Sequence, residues 1–221
     1  MTDSRNGDLG GLRVLLSASI PEGVAGTPGA QDLYSAVAVL TRRILAAGGH
    51  LVFGGHPSVT PLILRAAAAV DRGPAAVTLY QAINFRDQAP AEVHDPSLFP
   101  NLHWVGDPAA GIPENLSALR EAMALDSAAA VLIGGRGEAS LTREPGLREE
   151  YRRFRAHHPG GPVYLVGLLG GEARRMAQEA AAGTLAEPNG LDEESRREVR
   201  FGRNLDLIGP AIARDLAGRR P

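Results

Sequence analysis

Short apolar runs alternate with longer amphipathic segments along most of the chain. The segment after Asp32 places Leu33, Val37, Leu40 and Ile44 at helical spacing before a glycine pair ends it. Parallel strands need crossover connections, which place helices on both faces of the sheet, so the alternation predicts a doubly wound parallel α/β sheet. The predicted strands lie at 12–19, 50–58 with its glycine turn, 75–81, 101–106, 128–135 and 161–167.

One domain accounts for almost the whole sequence. Residues 1–11 are polar and glycine-rich, which indicates a flexible leader, and 12–221 are expected to fold as a single domain. The charged segment at 191–200 and the amphipathic segment at 204–219 predict extra C-terminal helices. No apolar run has the length of a signal peptide or a membrane span, so we expect a cytoplasmic protein.

Composition excludes several mechanisms. The net charge of −2 supplies no cationic field for coating nucleic acids. All 23 basic side chains are arginine, so imine chemistry, a lysine general base and a phosphate-loop lysine are excluded. The chain has no cysteine, which excludes disulfides, thiolate nucleophiles and cysteine-ligated metals. The six histidines lack metal-ligand spacing, so we expect no metal site and no required cofactor.

Small residues follow the predicted strands where ligands bind in open parallel sheets, beyond the carboxyl ends. The GGHPSVTP turn is the strongest anion-site candidate, because its glycines admit a ligand to the backbone and Ser58 or Thr60 can cap the next helix. It lacks the Gly-x-Gly-x-x-Gly spacing of a dinucleotide-binding turn. The candidate binding residues at these strand ends are Ser17, Ser19, Gly54, Gly55, His56, Ser58, Gly134, Gly135, Arg136, Gly167 and Gly170.

Charged side chains complete the candidate site. Arg120 and Arg136 offer the bidentate fork that suits a phosphate. If Pro145 opens a helix, Glu149 and Glu150 lie in its first turns, where a carboxylate can bind ribose hydroxyls or act as a base. Acidic residues there also simply complement the helix dipole, so both interpretations stay open.

The ordered motifs LLSASIP, VFGGHPSVTPLI, VTLYQAINF, LREAM, AAAVLIGG, EPGLREEYRRF and GPVYLVGLLGG resemble the SLOG superfamily, from about Leu12 to Gly171. That superfamily includes the lonely-guy phosphoribohydrolases and DNA-processing proteins, and the likeness is greatest to the branch fused to TIR or Sir2 effectors. The resemblance implies a single Rossmann-like domain that holds a nucleotide-derived ligand in its strand-end loops. The resemblance implies ligand-binding roles for Ser17, Ser19, Gly54, Gly55, Arg120, Gly134, Gly135 and Glu150.

Two departures from the family bear on function. Lonely-guy enzymes have a Pro-Gly-Gly-x-Gly-Thr-x-x-Glu pattern, whereas this chain has IGGRGE at 133–138, without the threonine and with the glutamate displaced. The effector-fused relatives recognise signalling nucleotides of anti-phage defence, but this chain carries no effector domain, so a sensor would act through a separate partner or by assembly.

Three functions therefore compete. The first is a sensor that binds a nucleotide or second messenger without turnover. The second is an N-glycosidic-bond hydrolase or transferase, of the nucleoside monophosphate phosphoribohydrolase or deoxyribosyltransferase type, with Glu150 or Glu138 as its catalytic residue. The third is a single-stranded DNA binder, which the net charge disfavours. We also expect a homo-oligomer, from the relatives and from the apolar stripe Leu205, Leu207, Ile208, Ile212 and Leu216, although packing on its own domain explains that stripe equally well.

Overall fold

Six parallel strands form one sheet in the order β4-β3-β2-β1-β5-β6. The computed structural model describes residues 8–71, 73–137 and 144–219. β1 lies between β2 and β5, because the chain moves outward from β1 to β4 and then returns to the other side of β1. The strands are β1 (Arg13–Ser19), β2 (His50–Gly54), β3 (Val77–Ala82), β4 (Asn101–Val105), β5 (Ala129–Gly134) and β6 (Val163–Val166).

Helices cover both faces of the sheet. The α1 layer packs α1, α2, α6 and α7 on one face, and the α3 layer packs α3, α4 and α5 on the other. The helices are α1 (Pro28–Ala46), α2 (Thr60–Ala68), α3 (Ile112–Leu125), α4 (Gly146–His157), α5 (Gly171–Ala181), α6 (Glu193–Phe201) and α7 (Leu205–Ala217). Short 3₁₀ turns at Ile83–Gln88 and Ala91–His94 connect β3 to β4.

Successive strand residues supply the two cores. In β1, Val14 and Leu16 pack into the α1 layer, and Leu15 between them packs into the α3 layer. Both faces of the strand are buried, which is why the strands appear as continuous apolar runs rather than alternating ones. The doubly wound architecture and the extra C-terminal helices predicted from the sequence are confirmed.

The strand order reverses between β1 and β5, and this is where a crevice opens in such sheets. Gly134 ends β5 with a φ of 69°. A Cβ there would lie 2.4 Å from the backbone oxygen of Ser19 at the end of β1. Only glycine allows these strand ends to approach so closely, so this turn has a role in chain packing.

The ends of the chain differ in part from the sequence expectations. Leu9, at the end of the predicted leader, is only 4% exposed, and its backbone N–H donates to the carbonyl of Ala47. Residues 8–11 are therefore packed against the end of α1, whereas 1–7 lie outside the described residues.

The apolar stripe of the tail packs on its own domain. Ile208, Ile212 and Leu216 are buried in the α1 layer, while Leu207 is 54% exposed. This burial removes most of the stripe from any interface, and oligomerisation stays a prediction based on relatives. No helix among the described residues is long and apolar enough to cross a membrane.

Candidate functional site

A pocket of about 780 Å³ opens beyond the carboxyl ends of β1, β2 and β3. Its volume lies within the range of about 300–1,000 Å³ that is typical of small-molecule sites. The α1 wall of the pocket is formed by the start of α2 and the 3₁₀ turn Ala91–His94, and the α3 wall by α3, the start of α4 and Phe85. The residues that line it include Ser17, Ser19, Gly54, Gly55, His56, Val59, Leu64, Arg65, Gln81, Phe85, Arg120, Met123, Arg136, Gly146 and Glu150.

The predicted residues at the ends of β1 and β2 meet at this pocket. Ser17, Ser19, Gly54, Gly55 and His56 all line it. Ser58 lies just outside the lining, where its backbone N–H donates to His56 Nδ1 at 3.3 Å. The expected side-chain cap on α2 is absent: among the described residues no side chain caps this helix, and the Thr60 hydroxyl instead donates to the carbonyl of His56.

Glu149 is an internal ion-pair centre and does not line the pocket. It is only 4% exposed, and it accepts hydrogen bonds from the Ser117 hydroxyl at 2.6 Å, Arg120 Nη1 at 2.5 Å and Arg153 Nε at 2.9 Å. Burial alone would raise the pKa of Glu149, but these donors and the Arg120 charge hold it below its usual value. The carboxylate is therefore ionised and positions Arg120.

Glu150 lines the pocket instead. Its side chain is 14% exposed, and one carboxylate oxygen lies 3.7 Å from Arg120 Nε. Burial raises the pKa of Glu150, and the neighbouring Glu149 charge adds to that shift, against the opposing effects of Arg120 and the Ser17 hydroxyl. A carboxyl group with a raised pKa at a pocket can hold a proton at higher pH than usual, which is the property of a general acid.

The absence of a side chain at Gly146 gives Arg120 its position. A Cβ on Gly146 would lie 2.6 Å from Arg120 Nη2. The guanidinium therefore lies against the first turn of α4, between the carboxylates of Glu149 and Glu150. Gly146 gives no signal in the sequence, because the need for a residue without a side chain becomes apparent only when α3 packs on α4.

Arg136 and His56 both line the pocket, near enough for the Arg136 charge to act on the imidazole. Burial and the nearby Arg136 charge lower the pKa of His56, so its imidazole is neutral near pH 7. Arg136 is exposed and forms no ion pair with a described residue. It can therefore reach an anionic ligand without first breaking a protein contact of that kind.

The glycines after β5 and β6 lie outside the pocket lining. Gly135 donates its N–H to the carbonyl of Ser19 and accepts from the N–H of Glu172, so it joins β1 to the start of α5. A Cβ on Gly167 would lie 2.3 Å from the carbonyl oxygen of Arg200 in α6. Together with Gly134, these residues hold chain segments close, and Gly170 also lies away from the pocket.

One buried polar residue of the pocket was missed from the sequence. Gln81 lies at the end of β3 and is only 9% exposed, yet it lines the pocket. In the sequence it ends the predicted strand at 75–81, where its residue type alone gives no sign of a binding role. Glu138, the alternative catalytic candidate, lies outside the described residues, and no group of His, Asp or Glu side chains within them could hold a metal.

Comparison with protein families identifies the chain. A sequence model of the SLOG cluster3 family matches residues 29–195. The protein belongs to this family. The resemblance to the SLOG superfamily seen in the sequence motifs is therefore confirmed.

The fold of this SLOG protein also occurs in a solved structure. The X-ray structure of the structural-genomics target TM1055 aligns with a TM-score of 0.57 and 18% sequence identity, covering 91% of this chain and 98% of that one. At this identity the likeness establishes a shared Rossmann-like fold alone. No curated protein matches the sequence.

Proposed function

We propose that this SLOG protein binds a nucleotide or a nucleotide-derived signalling molecule in the strand-end pocket. The observation that carries the proposal is the pocket itself, which combines apolar lining residues with three arginines, Arg65, Arg120 and Arg136. A nucleotide needs both features, because its base favours apolar contact and its phosphate favours guanidinium groups.

Each part of a nucleotide has a suitable counterpart. Arg136 supplies a guanidinium for phosphate, and Arg120 supplies a second positive charge held in place by Glu149. Glu150 and Ser17 offer oxygens for ribose hydroxyls. Val59 and Leu64 offer apolar surface for a base. Because the chain has no lysine, arginine and backbone amides must hold any phosphate.

Binding without turnover would make the protein a sensor. The resemblance to effector-fused SLOG proteins of anti-phage defence supports such a signalling role. The signal would then pass to a separate effector protein or through homo-oligomer assembly.

Calorimetric titration tests the proposal. The probes are AMP, NAD, ADP-ribose and cyclic ADP-ribose isomers, and at least one is expected to bind saturably to the wild-type protein. Arg136→Ala should weaken that probe about tenfold, as expected for loss of a charge-assisted phosphate contact. The matched control is Arg197→Ala, an exposed arginine of α6 outside the pocket, which should bind as wild type. Absence of binding by every probe would reject the proposal.

The environment of Glu150 favours a second candidate function, hydrolysis of an N-glycosidic bond. A protonated Glu150 could donate its proton to the departing base as the carbon–nitrogen bond breaks, and its carboxylate could then take up the proton that water releases when it adds to the anomeric carbon. Release of free adenine from AMP, followed by chromatography, tests this activity. Glu150→Gln should abolish release, and Glu194→Gln, an exposed carboxylate of α6, should not. Release that survives Glu150→Gln would reject this assignment.

A further inference from the structure

The side chain of Gln81 lies at the deep end of the α1 wall. It follows Val77 and Leu79 with the two-residue period of a strand, and those residues pack into the α1 layer. Its strand neighbour on β4 is Trp104, and the turn after β2 lies on its other side. The amide is thus enclosed by β2 and β4 and opens towards the pocket that it lines.

No described residue donates a hydrogen bond to this amide or accepts one from it. Among fully enclosed side-chain atoms of the described residues, only the Thr41 hydroxyl lacks a partner, so the amide atoms of Gln81 keep contact with the pocket volume. Buried amides are nearly always hydrogen-bonded, because an unmet donor or acceptor is costly away from water. The Gln81 amide, which has no partner among the described residues, is therefore left for solvent or for a ligand that enters through the pocket.

The turn after β2 is shaped to leave room for the amide. A Cβ on Gly55 would lie 2.0 Å from Gln81 Nε2 and 2.3 Å from its Cδ. Gly55 has its backbone N–H bonded to the carbonyl of Tyr80, so it cannot move away from β3 without losing that bond. Glycine at this position holds open the space that the glutamine occupies.

We infer that Gln81 is a specificity residue that reads the hydrogen-bonding edge of a nucleobase. This inference rests on the proposed nucleotide binding and deepens it by assigning the base to the α1 wall. A glutamine amide presents one donor group beside one acceptor, which matches the adjacent amino group and ring nitrogen of adenine. Phosphate oxygens and ribose hydroxyls lack that planar pair, so the amide can distinguish a base from a sugar phosphate.

The chemistry of the two walls supports this orientation. The Arg120 guanidinium lies on the α3 wall together with the carboxyl group of Glu150, where a phosphoribosyl group finds charged partners. On the α1 wall, Val59 and Leu64 line the pocket and give a planar base apolar surface to pack against.

The test compares base-bearing and baseless probes on the full chain. Gln81→Leu keeps the approximate shape of the side chain and removes both hydrogen-bonding groups. We expect it to weaken AMP, or whichever of ADP-ribose and NAD the wild type binds, about tenfold or more, while ribose 5-phosphate binds as to wild type. Gln178→Leu, at an exposed position of α5, is the matched control and should change neither.

Thermal unfolding without ligand gives the second readout. A glutamine without a protein partner predicts that Gln81→Leu melts at the same temperature as wild type or higher. A lower melting temperature would show that the amide has a structural role and would overturn the inference. Equal weakening of AMP and ribose 5-phosphate, or unchanged AMP binding, would overturn it and leave nucleotide binding standing. If no base-bearing probe binds the wild type, the proposed function and the inference fail together.

Discussion

On the α3 wall of the pocket, the Glu149 carboxylate accepts hydrogen bonds from Ser117, Arg120 and Arg153, all supplied by the protein. On the α1 wall, the Gln81 amide is nearly as buried but has no hydrogen-bond partner among the described residues. A buried polar group with many partners stabilises and orients its surroundings, whereas one that faces a pocket without protein partners is left for solvent or a ligand. The two walls therefore separate the framework of the site from its recognition surface.

The largest expected effect is at Glu149. Glu149→Ala should destabilise the fold by about 3–5 kcal/mol, because it leaves the charges of Arg120 and Arg153 without their buried partner. Urea unfolding measures the change. Glu22→Ala, at an exposed position without a described ion pair, is the control and should lie within about 0.5 kcal/mol of wild type. A loss as small as that at Glu149 would mean that the α3 wall is not held by this carboxylate.

Gly55 tests the α1 wall with a smaller stability effect. Gly55→Ala places a methyl group where the Gln81 amide lies, so the side chain must rotate away. We expect a cost of about 1 kcal/mol, at the low end for overpacking, because the end of a glutamine is easily displaced. Binding of AMP, or of the base-bearing probe that wild type binds, should fall as far as in Gln81→Leu.

The double variant Gly55→Ala/Gln81→Leu sharpens this result. If Gly55 acts through Gln81, the two losses of binding measured by calorimetry will not add. Additive losses would show that Gly55 contacts the ligand independently of the amide.

Gln81→Leu should change unfolding stability in the direction opposite to Glu149→Ala. Removing an amide that lacks a protein partner is expected to be neutral or to stabilise by up to about 1 kcal/mol. Denaturant unfolding of the two variants in parallel measures the contrast. Destabilisation in both would erase the distinction between the two walls.

The smallest effect is a pH dependence at Glu150. Burial raises the pKa of Glu150 above its usual value, so the native state keeps this proton after the unfolded chain has lost it. The free energy of unfolding contributed by this group therefore falls as pH rises above about 4.5, the usual glutamate value. Glu150→Gln removes the penalty, so its stability relative to wild type should increase from pH 4 to pH 7. A difference that is constant with pH would contradict the shift.

The fold could be predicted from the sequence because it follows from local patterns. Strands buried on both faces appear as apolar runs. The rule that ligands bind beyond the carboxyl ends of parallel strands selected Ser17, Gly55 and His56, which line the pocket. The same rule also selected Gly134 and Gly167, which instead allow neighbouring backbone segments to approach closely. A small-residue turn has the same sequence pattern whether it admits a ligand or a neighbouring strand.

The division of roles between neighbouring residues could not be predicted. Glu149 and Glu150 are consecutive, and on a helix with 3.6 residues per turn they point about 100° apart. Which of them faces Ser117 and which faces the pocket depends on how α4 packs against α3. Gln81 was missed for a related reason, because its lack of a partner is a property of the packed structure rather than of the strand that contains it.

One calorimetric experiment tests most directly whether the Gln81 amide recognises the base of a bound nucleotide. AMP, ADP-ribose, NAD and cyclic ADP-ribose isomers are titrated into wild-type protein and into Gln81→Leu, with Gln178→Leu as control. We expect at least one probe to bind saturably to wild type and to the control. Its affinity for Gln81→Leu should be weaker by about tenfold or more. If none of the probes binds the wild-type protein, nucleotide binding in this pocket is contradicted.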